Sequence, residues 1–219
     1  MQARLINRDI LIQCIVCEFE ASDPAFIFQA GEYVQIVLED GLKHYFSVMS
    51  SPNELPVLKI ATRPSQSEFK KTLLQMPIAS EVEINGPWGD LFLPEDGKER
   101  TYYFVAGGIG ITPFMSMIKY KVEENLPYDI TLLYFADPDP IFRMDLENYA
   151  NRSPHVRILF IHEKISAESI KSKILDDARN ATFMVAGPPG FVNMAVHTLV
   201  DLKIPQKNII LESYTGYTN

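Results

Sequence analysis

Two periods of hydrophobic and polar positions divide the chain. Over residues 1–97 the apolar side chains fall in short runs rich in Val, Ile, Tyr and Phe, broken by Gly, Pro, Asn and Asp. That pattern predicts an all-β unit, with candidate strands at 11–20, 32–39, 44–50, 56–63 and 80–87. One helix is expected at 68–75, opened by the polar group Ser65-Gln66-Ser67. After the polar stretch 94–100, apolar runs at 102–106, 129–135, 156–161, 182–186 and 209–211 alternate with segments of helical length. Helices are expected from Thr112, near Asp145, from Ser166, and over a segment ending near Leu202. Such alternation predicts a five-stranded, doubly wound α/β unit with a parallel sheet. The expected organisation is an antiparallel β-barrel of Greek-key type over 1–97 and an α/β domain over 98–219, without internal repeats.

Composition allows this and removes some partners. The chain has 219 residues, 47% hydrophobic and 22% charged, enough for two packed cores. Its formal net charge is -8 and no Lys/Arg-rich run occurs, which argues against nucleic acid or an anionic membrane surface. No stretch approaches the roughly 18 consecutive apolar residues of a membrane span, and the opening MQARLINRDI is too polar for a secretory signal. A cytoplasmic protein is expected. Cys14 and Cys17 lie in an apolar run, where residues three apart on a strand face opposite sides, so structural roles are expected and a metal site is not.

In a doubly wound sheet, ligands bind outside the carboxyl ends of the strands. Two loops at such ends carry glycine clusters. The first, Gly107-Gly108-Ile109-Gly110-Ile111-Thr112-Pro113, follows a strand directly, with Thr112 suited to N-cap a helix and Pro113 to its first position. Glycines there let backbone N–H groups approach a pyrophosphate, and a helix N-terminus supplies positive potential without lysine. The second, Gly187-Pro188-Pro189-Gly190-Phe191, is stiffened by paired prolines and forms a rigid wall for a flat ring. Taken singly, each loop could be only a tight turn; as a pair they describe one crevice for a dinucleotide.

With Ala30-Gly31-Glu32-Tyr33-Val34, His44-Tyr45-Phe46-Ser47, Gly86-Pro87-Trp88-Gly89-Asp90-Leu91-Phe92 and Glu212-Ser213-Tyr214-Thr215-Gly216-Tyr217 in order around these loops, the chain resembles the ferredoxin-NADP reductase superfamily. Its nearest likeness is to the small bacterial flavin reductases and oxygenase reductases without an iron–sulfur domain. The resemblance implies FAD, with FMN as the alternative, and NADH or NADPH as electron donor. Phe46 would pack on the isoalloxazine face, and Ser47 would lie near N5. His44, Tyr45, Val48, Lys59 and Ala61 would line the flavin, and Arg63, Ser65 and Ser67 would meet its phosphates. Gly107, Gly108, Gly110, Thr112, Gly187, Pro188, Pro189 and Phe191 would bind the nicotinamide dinucleotide. Glu212 and Tyr214 would stand at the flavin edge, so that Ser47, Glu212 and Tyr214 form the catalytic set.

The chain departs from the family pattern at four places. His44 replaces a forked, permanently charged arginine, with Lys43 next to it as a substitute cation. Segment 63–67 lacks the usual glycine. Ala186 stands where cysteine is usual, and Phe191 where methionine is common. Asp137, beyond the second strand of the α/β unit, suits a free ribose 2′-hydroxyl and repels a 2′-phosphate, so NADH is favoured over NADPH. Arg143 is the cation that could reverse this. With only two cysteines, the chain cannot hold a four-thiolate cluster of its own. The expected activity is therefore hydride transfer from NAD(P)H to flavin and onward electron transfer to an unidentified acceptor, a redox protein or a diffusible molecule. The alternatives are a non-catalytic or regulatory flavin- and nucleotide-binding subunit of a larger redox complex, and a dinucleotide-binding module without flavin.

Overall fold

In the computed structural model, residues 1–94, 96, 98–136, 140–174 and 178–213 are described. The first six strands are β1 (Gln2–Ile10), β2 (Ile15–Ala21), β3 (Tyr33–Val37), β4 (Lys43–Ser47), β5 (Val57–Thr62) and β6 (Glu81–Trp88). They pair antiparallel in the order β4-β3-β6-β1-β2-β5. Strand β1 is not among the strands that the sequence pattern predicts. Its inward positions are Ala3 and Leu5 between exposed Gln2 and Arg4. This alternation is short, and Asn7-Arg8-Asp9 obscures it. Strand β2 begins at Ile15, so Cys14 precedes it.

Helix α1 (Glu68–Gln75) lies where the pattern placed it. Ser67 is its N-cap, its Oγ accepting from Lys70 N at 3.3 Å. Phe69 and Leu73, one turn apart, are buried and close the barrel core with Leu5, Phe19, Val34, Ile36, Phe46 and Leu58. Each such side chain stabilises the fold by about 1.5–3 kcal/mol relative to exposure. The end strands of the sheet, β4 and β5, draw together just past β4, where Met49 N donates to Lys59 O at 2.7 Å and Lys59 N to Ser50 Oγ at 3.0 Å.

The second sheet is parallel: β7 (Arg100–Gly107), β8 (Tyr128–Phe135), β9 (Val156–Ile161), β10 (Thr182–Gly187) and β11 (Ile209–Ser213), in the order β11-β10-β7-β8-β9. Helices α2 (Thr112–Glu123) and α3 (Arg143–Arg152) cover one face, with Phe114, Ile118 and Leu146 against Tyr102, Phe104 and Tyr134. The other face receives α4 (Ala167–Lys171) and α5 (Pro189–Asp201), with Ile170, Val192 and Leu199 against Tyr103, Val105 and Phe183. The chain leaves β7 towards β8 and β9, then returns to the other side of β7 as β10 and β11. The switch of direction therefore lies between β7 and β10, the position where doubly wound sheets open a ligand crevice.

The two sheets share a core, since Val16, Met49, Ala61, Leu91 and Leu93 pack into the same cluster as Phe114, Met117 and Ile118. Gly31 makes this close approach feasible. Its φ is +106°, and a Cβ there would lie 2.1 Å from Leu91 O and 2.2 Å from Met117 Cε. Cys14 belongs to this shared core and Cys17 to the barrel core; both are buried, free thiols. The separation expected of residues three apart is what the structure shows. No helix among the described residues is long and apolar enough to cross a membrane.

Candidate redox site

The two glycine loops are neighbours because β7 and β10 pair in register, Ala106 beside Ala186. Close packing explains their glycines. A Cβ on Gly110 would lie 2.4 Å from Ala186 O, and one on Gly107 would lie 2.5 Å from Cγ of Phe191. Gly187 likewise faces Phe191, with a Cβ 2.9 Å from Cδ1. The Phe191 ring thus rests on both loops and also touches Phe135, with 5.6 Å between centroids.

Thr112 does not cap α2. Residues Gly108–Ile111 form a 3-10 turn, Thr112 itself is helical (φ -56°, ψ -47°), and its hydroxyl donates back to Ile109 O at 3.2 Å. An N-cap needs extended backbone, which a turn running straight into the helix removes. Pro189 does occupy the first position of α5, with Pro188 preceding it.

Across the crevice stands the barrel. His44 and Phe46 share one face of β4 and point inward, their rings 4.9 Å apart, each 5.6 Å from Phe69. Phe46 is 5% exposed, Val48 and Ala61 are buried, and His44 is half-buried. Tyr45 takes the opposite face, packed with Tyr33 at 5.8 Å and Trp88 at 6.2 Å. Lys59 pairs with Glu18 at 3.1 Å and lies 3.8 Å from Glu54. Ser47, buried at the end of β4, donates from Oγ to Glu212 Oε1 at 2.8 Å. Glu212 lies beside Ala186 in the β10–β11 ladder, so this bond joins the barrel to the strand next to the second glycine loop. Asp137 and Tyr214 lie outside the described residues.

A basic group gathers at the far end of β5. Arg63 Nη2 lies 2.7 Å from the Cβ position of Gly108 (φ +53°), so the guanidinium reaches from the barrel onto the first glycine turn. Lys70 Nζ donates to Arg63 O at 3.1 Å, and Ser65 and Ser67 are linked by hydrogen bonds at the start of α1. Among the described residues neither Arg63 nor Lys70 is ion-paired with a carboxylate. Burial holds the Lys70 ammonium below its ordinary range, and burial followed by the Lys70 charge does the same to His44. Two cations without an ion-paired carboxylate among the described residues, two hydroxyls and the N-terminus of α1, whose first turn also carries Glu68, fit a phosphate-bearing cofactor.

What sequence reasoning missed is the segment between Ser47 and β5. Ser51-Pro52-Asn53-Glu54 forms a 3-10 turn over Pro52–Glu54, closed by a reciprocal cap in which Ser51 N donates to Glu54 Oε2 at 2.8 Å. The Ser-x-x-Glu spacing was its visible signal.

Residues 104–197 match the family model described as "Oxidoreductase NAD-binding domain". The chain is 31% identical over 146 residues to "Ferredoxin--NADP reductase B" of Sorangium cellulosum, covering 64% of this chain and 59% of that protein. It is 25% identical over 206 residues to the reductase component of phenol 2-monooxygenase from a Pseudomonas species, covering 85% of this chain and 58% of that protein. The chain therefore spans less than two thirds of these relatives' length. The fold matches the FAD/NAD binding domain of the nitric oxide dioxygenase of Vibrio cholerae with a TM-score of 0.82, at 17% identity, over 97% of this chain and 98% of that one.

Proposed function

We propose, from the premise that the chain is ferredoxin-NADP reductase-like in sequence and in fold, that it is an NAD(P)H-dependent flavin oxidoreductase with bound FAD. The flavin would supply N5 as acceptor of the nicotinamide hydride and then release electrons to an acceptor outside the chain. Arg63, Lys70, Ser65 and Ser67 hold its phosphates, aided by His44. The backbone at Phe46, Val48 and Ala61 borders the ring from the seam between β4 and β5, the Phe46 side chain lying in the barrel core and not on the isoalloxazine face as the sequence implied. The glycine turns at Gly107–Gly110 and Gly187 receive the pyrophosphate and nicotinamide of the donor, with Pro188 and Pro189 holding the second turn rigid. Asp137 favours NADH.

The observation that carries this reading is the Ser47–Glu212 hydrogen bond. It brings Ser47, at the end of the strand proposed to border the flavin, and Glu212, beside the strand that leads into the second glycine loop, to a single point, which supports a site for transfer between two rings. Tyr214 is proposed to cover the ring from the other side.

Purified protein, denatured and analysed for released flavin, should yield FAD, and NADH should bleach the bound flavin rapidly in stopped flow. Flavin retained but never bleached by NADH or NADPH would favour the non-catalytic subunit, a reading to which the Phe191 ring packed on Gly107 and Gly187 lends weight. A tenfold preference for NADPH in kcat/KM would defeat the role given to Asp137.

A further inference from the structure

Residues 47–54 touch the second sheet and its helices at nearly every step. Ser47 reaches Glu212. The carbonyl of buried Ser50 accepts from the buried Ser116 hydroxyl at 2.6 Å. Ser51 Oγ, fully buried, donates to Glu123. Asn53 Nδ2 donates to Glu123 Oε2 at 3.2 Å and to Glu124 Oε1 at 2.6 Å. Glu54 Oε2 meets Lys119 Nζ at 2.6 Å.

The partners Ser116, Lys119 and Glu123 recur at helical spacing on one face of α2. That helix begins directly after the glycine turn Gly108–Ile111. On the barrel side, the Ser51–Glu54 cap makes the turn rigid before it meets α2. An exposed ion pair of this kind would contribute little. Here both ammonium and carboxylate are about four-fifths covered (20% and 21% exposed), and the flanking serines are buried, so the groups act as one network. Burial pulls the Lys119 ammonium down, yet the hydrogen bond and charge of Glu54 leave it raised overall.

We propose that residues 50–54 with Ser116, Lys119 and Glu123 form an interdomain clamp that fixes the separation between Ser47 and the glycine turn, Lys119 and Glu123 being positioning residues for hydride transfer. The inference rests on the flavin oxidoreductase reading. Its physical basis is that both halves of the site are attached to the clamp by short, stiff lengths of chain. Ser47 lies three residues before Ser50, and Gly110 lies six residues before Ser116, across the end of the 3-10 turn and the first turn of α2. A displacement of about 1 Å between reacting groups can cost on the order of a hundredfold in rate.

The test compares the full chain with Lys119→Met, Glu123→Gln, the double variant and Lys119→Arg. The limiting rate of flavin bleaching by NADH should fall about tenfold or more in the double variant, with flavin content and half-saturating NADH nearly unchanged. Lys119→Arg should recover most of the rate. Hydrogen exchange reads the clamp without turnover: amides of residues 50–54 and 112–124 should exchange faster in the double variant. Bleaching within about twofold of the parent overturns the positioning role, and unaltered exchange overturns the clamp. A parent protein that is never bleached sinks the oxidoreductase reading instead, while the exchange measurement still decides whether the clamp exists.

Discussion

Ser47 and Glu212, 165 positions apart, meet where the barrel and the parallel sheet converge, the serine hydroxyl donating to the carboxylate at 2.8 Å. Removing the donor leaves a partly buried carboxylate with one hydrogen bond fewer and loosens the contact between the two halves of the site. Ser47→Ala should slow the reductive half-reaction by about 10- to 100-fold in stopped flow. Glu212→Gln keeps an oxygen that can accept and should cost less. An unaffected rate in Ser47→Ala would remove this pair from the chemistry.

The first glycine turn should tolerate no side chain at Gly110. A methyl group there would lie 2.4 Å from Ala186 O and 2.5 Å from Gly187 Cα, and both are backbone atoms that cannot swing aside. Gly110→Ala is expected to destabilise the fold by about 1–3 kcal/mol, measured as a lowered denaturant midpoint. It should also weaken NADH binding by prising the two loops apart.

His44 links stability to pH. Its imidazole is held below the ordinary range by burial and then by the Lys70 charge, so below about pH 6.5 the unfolded chain takes up a proton that the folded chain resists. The contribution of His44 is therefore present above that pH and lost as pH falls towards its folded value. Tm should drop on acidification more steeply in the parent than in His44→Phe. His44→Arg, which adds a forked cation beside Lys70, is expected to tighten flavin retention by about tenfold, read by dialysis against flavin-free buffer.

The thiols should be silent. Cys17 is pushed up to about 12 by burial, and Cys14 is raised for the same reason. A disulfide-exchange reagent should find almost no reactive thiol in the native protein and both after unfolding. Rapid native labelling would show that the barrel opens far more often than its packing implies.

Most of the architecture could be read from the sequence because its elements obey local rules. Helix α1 follows from the polar group ending at Ser67, and the parallel strands follow from apolar runs of strand length at regular intervals. Strand β1 escaped because only Ala3 and Leu5 face inward clearly before the polar residues begin. Thr112 misled because its sequence neighbourhood is that of an N-cap, while the turn ahead of it is already helical. The group of Arg63, Ser65 and Ser67 proposed to hold phosphate is visible in the sequence, but Lys70 is not, since only the return of α1 across the end of β5 brings it near. The contacts of Glu54 with Lys119 and of Ser51 with Glu123 depend on how two domains dock, and no local pattern encodes that.

The placement of β11 has a consequence for biosynthesis. Among the described residues that strand is made after all the others and pairs with β10 alone. A nascent chain emerging from the ribosome can complete the barrel and the basic group while Glu212 is still unmade. The Ser47–Glu212 contact is thus added after the barrel core has had time to pack. A product interrupted short of β11 would lack the Ser47–Glu212 contact, while the contacts of residues 50–54 with α2 would still join barrel and sheet.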